Sequence, residues 1–259
     1  MRITKVSYER YDLKLRTPYT IAYEVVSAAT NFILKLETDS RLVGYGCAAP
    51  DIPVTGESAD QVETVIKDVL NAYLIGKNPF NYARIIADLK NLLKIKSSAL
   101  AMVDMALFDL VSKKAAVPLY QFLGGFRDKM ETSITIGICS VEETLAEAEA
   151  FIQQGFSILK IKGGLDVEAD IERMLKISER FPKAVLRFDG NQGYSVKEAI
   201  RFFEQTKEVK IEIFEQPIKI HQEEKLGLLT SSISLPVMAD ESLKSLADTF
   251  RLISNDRVD

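Results

Sequence analysis

The chain has 259 residues, with 33 lysines and arginines against 37 aspartates and glutamates, which gives a net charge of −4. This mildly acidic balance excludes a nucleic-acid binder that works by neutralising phosphates. No apolar run reaches the roughly 18 residues that a membrane span requires, and the charged N-terminus lacks the apolar core of a signal peptide. The two cysteines, Cys47 and Cys139, form no CxxC pair. We therefore expect a cytoplasmic protein that contacts neither nucleic acid nor membrane.

The first part of the chain, up to about residue 125, is predicted to be α+β. Two apolar segments flank the polar turn 38–41, a pattern typical of a β-hairpin. Together with the strand-like stretch 3–15, they indicate a three-stranded antiparallel sheet. Apolar residues then recur at spacings of three and four, and the alanine- and leucine-rich segment 99–113 indicates a buried helix.

The second part, residues 126–259, alternates short apolar runs with amphipathic helices. Capping boxes at Ser140–Glu143 and Ser195–Glu198 indicate where two of these helices begin. Strands that alternate with helices predict right-handed crossovers and a parallel sheet. The five predicted strands end, at intervals of 25 to 27 residues, at Gly137, Lys162, Asp189, Glu215 and Asp240.

This regular repeat fits a doubly wound sheet, but the charged residues at successive strand ends favour a (β/α) barrel of the TIM type. A closed barrel has eight strands, and the chain supplies about five. The predicted fold is therefore an α+β domain followed by an incomplete TIM-type barrel, truncated before the sixth strand.

The charged groups at the strand ends are the candidate site. Lys160 and Lys162 lie on one strand, and the two-residue period directs both side chains to the same face. Asp189, Glu215 and Asp240 end the next three strands, and three carboxylates form a hard oxygen-lined pocket that suits Mg²⁺.

A simpler interpretation treats each carboxylate as a helix cap or loop charge and the Lys-x-Lys pair as a solvated edge. A shared site is favoured because all five groups are in register and flanked by apolar residues, where an unpaired charge is costly. Mg²⁺ could then stabilise an enediolate formed when a substrate loses its α-proton. Lys162 would be the base, and Lys160 would lower the pKa of Lys162 and contact the oxyanion.

Four motifs occur in a specific order and spacing: Leu-Lys-Ile-Lys-Gly-Gly at 159–164, Arg-Phe-Asp-Gly-Asn-Gln-Gly at 187–193, Glu-Gln-Pro at 215–217 and Met-Ala-Asp-Glu-Ser at 238–242. Together they resemble the muconate-lactonizing subgroup of the enolase superfamily, and within it the dipeptide epimerases. The likeness extends from the N-terminus to Asp259.

The resemblance implies a role for each part of the chain. Residues 1–125 would be the N-terminal capping domain that reads the substrate, and residues 126–259 the first part of the barrel. The enzyme would be a Mg²⁺-dependent epimerase that abstracts the α-proton of a dipeptide's C-terminal residue, and would be a homo-oligomer when full length. The implied site comprises Mg²⁺ ligands Asp189, Glu215 and Asp240, catalytic Lys162 and Lys160, a substrate contact at Thr135, and Asn191 behind the ligands.

The sequence departs from the family pattern in three respects: the opposing lysine, strands six to eight, and Glu24. The opposing lysine and the substrate-ammonium site belong to strands six to eight, which would follow Asp259, so we expect this chain alone to be poorly soluble or inactive. Glu24 stands where Ala-Glu epimerases have an arginine. If Glu24 contacts the substrate, the second residue of the dipeptide should be neutral, hydrophobic or cationic; the alternative is that Glu24 faces solvent.

Two other functions fit the same residues. A cycloisomerase or an o-succinylbenzoate synthase of the superfamily would use the same ligands and lysines. A catalytically inactive fragment or binding module is the third hypothesis, because the sequence ends before the predicted sixth strand.

Overall fold

The computed structural model describes residues 1–94 and 97–259, which form two compact units. The first unit comprises Met1–Arg16 and Ala28–Lys129, and the second comprises Thr17–Ser27 and Met130–Asp259. Segment 17–27 therefore packs with the second unit although it interrupts the first. No helix among the described residues has the length and apolarity needed to cross a bilayer.

Three strands in the order β1-β2-β3 form the sheet of the first unit: β1 Ile3–Thr20, β2 Val25–Thr38 and β3 Val43–Ala48. β2 and β3 are antiparallel, with register from Phe32–Ala48 to Glu37–Val43. The predicted hairpin is confirmed, and β1 and β2 are longer than predicted. Arg41 closes the turn in a left-handed conformation (φ 62°) and donates its N–H to the carbonyl oxygen of Thr38 at 3.0 Å.

Helices follow this sheet. They are α1 Ile52–Thr55, α2 Ala59–Val65, a π-helical turn Ile66–Leu70, α3 Asn71–Leu74, a 3₁₀ turn Pro79–Asn81, α4 Tyr82–Leu93, α5 Ser97–Lys114 and α6 Leu119–Phe122. The predicted buried helix corresponds to α5, which packs against β3. Gly44 and Gly46 allow this close approach, because a Cβ atom on either would meet the backbone of α5 at Ala106 or Met102.

The second unit alternates strands and helices as predicted. Its elements are β4 Ile134–Ile136, α7 Val141–Gln153, β5 Ile158–Lys162, α8 Val167–Arg180, β6 Val185–Asp189, α9 Val196–Thr206, β7 Ile211–Glu215, α10 Glu223–Ser232, β8 Val237–Met238 and α11 Leu246–Ile253. The five strands form one sheet in the order β4-β5-β6-β7-β8, and every adjacent pair is parallel. All the carboxyl ends of these strands therefore lie along one edge of the sheet.

An aromatic cluster supports the middle of this sheet. Phe188 of β6, Phe202 of α9 and Phe214 of β7 are completely buried, and Tyr194 nearly so. The ring centroids of Phe188 and Phe202 are 4.2 Å apart, and those of Phe188 and Phe214 are 5.5 Å apart. Phe188 and Phe214 directly precede the site carboxylates on their strands, so this packing fixes the backbone from which the carboxylates project.

Both predicted capping boxes are present. At the start of α9, Ser195 Oγ accepts from the backbone N–H of Glu198 at 3.3 Å, and Glu198 accepts from the N–H of Ser195 at 2.8 Å.

Replacing Ser195 with alanine should lower the free energy of unfolding by about 1 kcal/mol, because the N–H of Glu198 loses its acceptor. Urea unfolding followed by circular dichroism measures this change. Ser231→Ala, at an exposed position late in α10, is the matched control and should leave stability unchanged within about 0.5 kcal/mol. Equal effects of the two substitutions would contradict the capping role.

Candidate active site

Three charged residues form one row across neighbouring strands of the second unit. Lys162 of β5 is in register with Asp189 of β6, and Asp189 with Glu215 of β7. Lys160 lies two residues before Lys162 on the same face, while Leu159 and Ile161 between and beside them are completely buried on the other. The predicted convergence of these four groups on one edge is what the backbone register produces.

Direct ion pairs link the row. The Lys162 ammonium lies 2.7 Å from Asp189 Oδ2, and the Lys160 ammonium lies 2.9 Å from the same oxygen. Lys160 also donates to Glu215 Oε1 at 2.7 Å. The Asp189 side chain is completely buried, whereas the two lysine side chains retain 14% and 19% exposure. The ammonium groups therefore lie at the solvent side of a buried carboxylate.

These contacts shift the protonation equilibria in opposite directions. Burial alone would raise the pKa of Asp189, but Lys162 and Lys160 outweigh it and hold that pKa below its ordinary value. Burial would lower the pKa of Lys160, but the charges of Asp189 and Glu215 raise it above its ordinary value. Burial and the negative charges of Asp189 and Asp240 raise the pKa of Glu215 to about 7, despite its bond to Lys160. The edge thus carries more negative charge than its two lysines neutralise.

Asp240 lies two residues beyond the end of β8, on a loop that Gln216 holds in place. The completely buried Gln216 accepts from the N–H groups of Asp240 (2.9 Å) and Ser242 (3.1 Å). Its amide nitrogen donates to Ser242 Oγ and to the carbonyl oxygen of Ile218, both at 2.8 Å. Both lone pairs of the amide oxygen and both N–H donors of the amide nitrogen are therefore used.

The loops after β5 and β6 touch through their backbones. A Cβ atom on Gly164 would meet the carbonyl group of Gly190, and one on Gly193 would meet the backbone of Gly164. Gly164 also has a φ of 104°, which disfavours other residues. Between the two later glycines, Asn191 (φ 40°) donates its backbone N–H to Asp189 Oδ1 at 2.9 Å. The glycines of the two sequence motifs are therefore explained by close packing.

Thr135 is exposed on β4, in register with Lys160. It lines a cavity of about 970 Å³ together with Lys160 and Lys162, and with residues of the segment 17–20. Glu24 does not line this cavity. It is half-buried in a turn closed by a 3.0 Å hydrogen bond from the N–H of Ile21 to its carbonyl oxygen.

The donor set at this edge suits a hard divalent cation. Two buried oxygens near the row, Asn191 Oδ1 and Glu241 Oε2, have no hydrogen-bond partner. Burial and the charges of Asp240 and Asp189 raise the pKa of Glu241, which shows the same excess of negative charge. Within residues 1–94 and 97–259, however, no three acidic, histidine or cysteine side chains are gathered closely enough to hold an ion as they stand. The ammonium group of Lys160 instead lies between the carboxylates of Asp189 and Glu215.

Two family models match this chain. The "Mandelate racemase / muconate lactonizing enzyme, N-terminal domain" matches residues 3–124, and "Enolase C-terminal domain-like" matches residues 143–259. The chain belongs to the enolase superfamily. The two matched domains of this superfamily account for the sheet with its helices and for the parallel β/α series.

Individual relatives within the superfamily are similar over almost the whole chain. An L-Lys-D/L-Arg epimerase of Desulforapulum autotrophicum is 42% identical over 98% of this chain and 72% of its own length. An L-Ala-D/L-Glu epimerase of Bacillus subtilis is 38% identical over 100% of this chain and 72% of its own. The crystal structure of a dipeptide epimerase from Enterococcus faecalis, in complex with Mg and L-Leu-L-Tyr, superposes with a TM-score of 0.96. It is 35% identical over 100% of this chain and 73% of that one.

Three buried polar residues near the site were not predicted from the sequence: Gln216, and the ion-paired residues Asp170 and Arg173 of α8. Gln216 lies within a recognised motif, but nothing in its neighbours indicates which loop it would hold. Asp170 and Arg173 carry a readable signal, because they fall on the same helical face as Ile171, Met174 and Ile177 and so interrupt an apolar stripe with charge.

Gln216→Ala should lower the free energy of unfolding by about 1–3 kcal/mol, because the N–H groups of Asp240 and Ser242 lose their acceptor in a buried position. Thermal unfolding measures the loss. Gln154→Ala, which removes an exposed side chain bonded to a carbonyl oxygen of its own helix, is the control and should have little effect. A stability unchanged by Gln216→Ala would show that the loop does not depend on this residue.

Proposed function

We propose that this protein is a Mg²⁺-dependent dipeptide epimerase that removes the α-proton of the substrate's C-terminal residue. The row Lys162, Asp189, Glu215 with Lys160 beside it carries the proposal, because it combines a candidate base with carboxylates at one strand edge. Family membership and the epimerases among the relatives support it. On this proposal residues 1–125 are the capping domain and residues 126–259 are part of a TIM-type (β/α) barrel.

Asp189, Glu215 and Asp240 would hold the cation, and Asn191 would orient Asp189 from behind through its backbone N–H. When bound, Mg²⁺ supplies positive charge that stabilises the extra negative charge of the enediolate. Burial and the neighbouring carboxylates raise the pKa of Glu215 to about 7, so a bound cation would reduce the repulsion among these carboxylates.

The lysines perform the proton transfer. Lys162, as a neutral amine, accepts the α-proton at Nζ, and the electron pair of the broken C–H bond moves into the substrate carboxyl group to form the enediolate. Lys160 stays charged because Asp189 and Glu215 raise its pKa, so it can donate to the developing oxyanion. Thr135, in register with Lys160, would contact the substrate.

The substrate class we infer is a dipeptide with a cationic or neutral second residue. Glu143 and Glu147 line the same cavity as the two lysines, so its wall includes carboxylates that attract a cationic side chain and repel an anionic one. The relative that acts on L-Lys-D/L-Arg is 42% identical to this chain. Glu24 would also attract a cationic side chain and repel an anionic one if the segment 17–27 brings it to the substrate.

Deuterium exchange tests this function directly. The protein is incubated in D₂O with Mg²⁺ and a panel of L,L-dipeptides, including Lys-Arg, Leu-Tyr and Ala-Glu, and the α-proton signal of the second residue is followed by NMR. We expect a loss of signal that requires Mg²⁺, stops with EDTA and is fastest for Lys-Arg. Exchange of no dipeptide would contradict the function, and a preference for Ala-Glu would contradict the inferred substrate class alone.

A further inference from the structure

A buried ionic cluster lies behind the candidate site, formed by Asp170, Arg173 and Tyr194. Arg173 and Asp170 of α8 are each only 2% exposed, and their side chains pair at 2.5 Å. The Tyr194 hydroxyl donates to Asp170 Oδ2 at 2.6 Å, and burial together with this carboxylate raises the pKa of Tyr194. All three side chains are buried, and none of them lines the cavity that contains Lys160 and Lys162.

The guanidinium group of Arg173 ties together the carboxyl ends of two strands. It donates to the carbonyl oxygen of Lys162 at 2.6 Å, at the end of β5, and to that of Gly137 at 3.3 Å, just beyond β4. Asp170 accepts from the N–H of Gly164 at 2.8 Å, two residues after Lys162. The backbone that leaves Lys162 toward the next loop is therefore bonded to this ion pair at two points.

Stability alone does not explain a buried ion pair at these positions. The free-energy cost of removing two charges from water offsets most of their mutual attraction. Apolar residues of similar volume at the same positions often stabilise a protein as much. The neighbouring residues Ile171, Met174 and Ile177 show that this face of α8 otherwise buries apolar side chains. What the planar, forked guanidinium adds is direction, since its N–H groups fix two acceptors at defined positions.

We propose that Arg173 is a positioning residue for Lys162, which sets where the ammonium of the catalytic lysine lies by holding the backbone carbonyl of that residue. This inference rests on the proposed function, because it assigns Lys162 the role of base. Asp170 holds the guanidinium group of Arg173 in place through their ion pair, and Tyr194 holds Asp170 through its hydrogen bond. A displacement of about 1 Å at a reacting group can lower a rate about 100-fold, so a defect in this cluster should act on the chemical step.

The first test replaces Arg173 with lysine, which keeps the positive charge and loses the fork. In the D₂O exchange assay, kcat should fall by roughly 10- to 100-fold while KM for the dipeptide and the affinity for Mg²⁺ change less than about threefold. Arg180→Lys, an exposed position on the same helix, is the matched control and should exchange at the wild-type rate. A wild-type kcat in Arg173→Lys, or a loss confined to KM, would overturn the positioning role.

A rescue experiment separates positioning from general damage to the fold. Lys162→Ala is supplied with methylamine, a base that is not attached to β5, and the amine-dependent exchange rate is measured with and without Arg173→Lys. Equal rescued rates in the single and double variants are expected, because a free amine does not need the Lys162 backbone. A rescued rate lowered tenfold or more by Arg173→Lys would assign Arg173 a purely structural role.

A second variant tests the same role if Arg173→Lys does not fold. Tyr194→Phe keeps the packed ring and removes one donor from Asp170, so kcat should fall in the same direction by a smaller factor, with KM unchanged. An unchanged kcat would count against the cluster. A wild-type protein that exchanges no dipeptide proton refutes the proposed function and this role with it, whereas exchange that is insensitive to Arg173→Lys and Tyr194→Phe refutes the role only.

Discussion

Replacing Lys162 with alanine should lower the rate of α-proton exchange by about 10³-fold, because the protein loses the group that we assign as the general base. The variant should still fold, since the buried carboxylate of Asp189 keeps its 2.9 Å ion pair with Lys160. Binding of Mg²⁺ should also persist, because all three carboxylates remain. The rate is measured by NMR in D₂O with saturating dipeptide and Mg²⁺.

Lys210→Ala is the control for this experiment. Lys210 is an exposed lysine directly before β7, in the same unit, and its loss should leave exchange unchanged. A Lys162→Ala protein that exchanges the α-proton within tenfold of the wild-type rate would show that another group is the base, and Lys160→Ala would then identify whether its neighbour takes that role.

Asp189→Asn and Glu215→Gln should show how the two carboxylates of the row differ in their contributions to Mg²⁺ binding and to stability. Both remove one negative oxygen donor, so each should weaken Mg²⁺ binding by roughly 100-fold, as measured by isothermal titration calorimetry. Their effects on stability should differ. Asp189→Asn leaves two lysines without their shared buried partner and should lower the free energy of unfolding by about 3 kcal/mol, near the lower limit for a broken buried pair.

Glu215→Gln should leave the stability of the metal-free protein at pH 7 unchanged or slightly higher. The folded-state pKa of Glu215, about 7, lies above its ordinary value, so its ionised form is disfavoured by folding and any stabilising contribution fades as the pH rises to 7. A neutral amide avoids that unfavourable charge. Thermal unfolding of both variants in EDTA makes the comparison, and a larger loss for Glu215→Gln than for Asp189→Asn would contradict the charge distribution described for the row.

The secondary structure around the site followed closely from the sequence. The predicted ends of β5, β6 and β7 agree with the structure because each strand is a short apolar run that ends in a charged residue. The period of two also predicted correctly that Lys160 and Lys162 share one face. β8 was less accurate. The strand predicted to end at Asp240 contains only Val237 and Met238, so Asp240 projects from a loop that Gln216 fixes.

Long-range polar contacts were the part that local patterns could not supply. The bond from Arg173 to the carbonyl oxygen of Lys162 joins a helix to the strand before it, and its existence depends on the crossover that brings them together. Asn191, expected behind the metal ligands, does bond Asp189, but it does so through its backbone N–H. Such a contact depends on φ and ψ, which the residue type alone does not determine.

The backbone contact among Gly164, Gly190 and Gly193 restricts how this protein can change its substrate. A side chain added to Gly164 or Gly193 would push apart the loops that follow β5 and β6, and would thereby change the spacing between Lys162 and Asp189. New specificity must therefore arise elsewhere, and the segment 17–27 packs with the same unit while contributing no member of the charged row. A mutant library confined to that segment should yield folded proteins with altered dipeptide preference, whereas one directed at residues 163–193 should mostly yield proteins that have lost activity altogether.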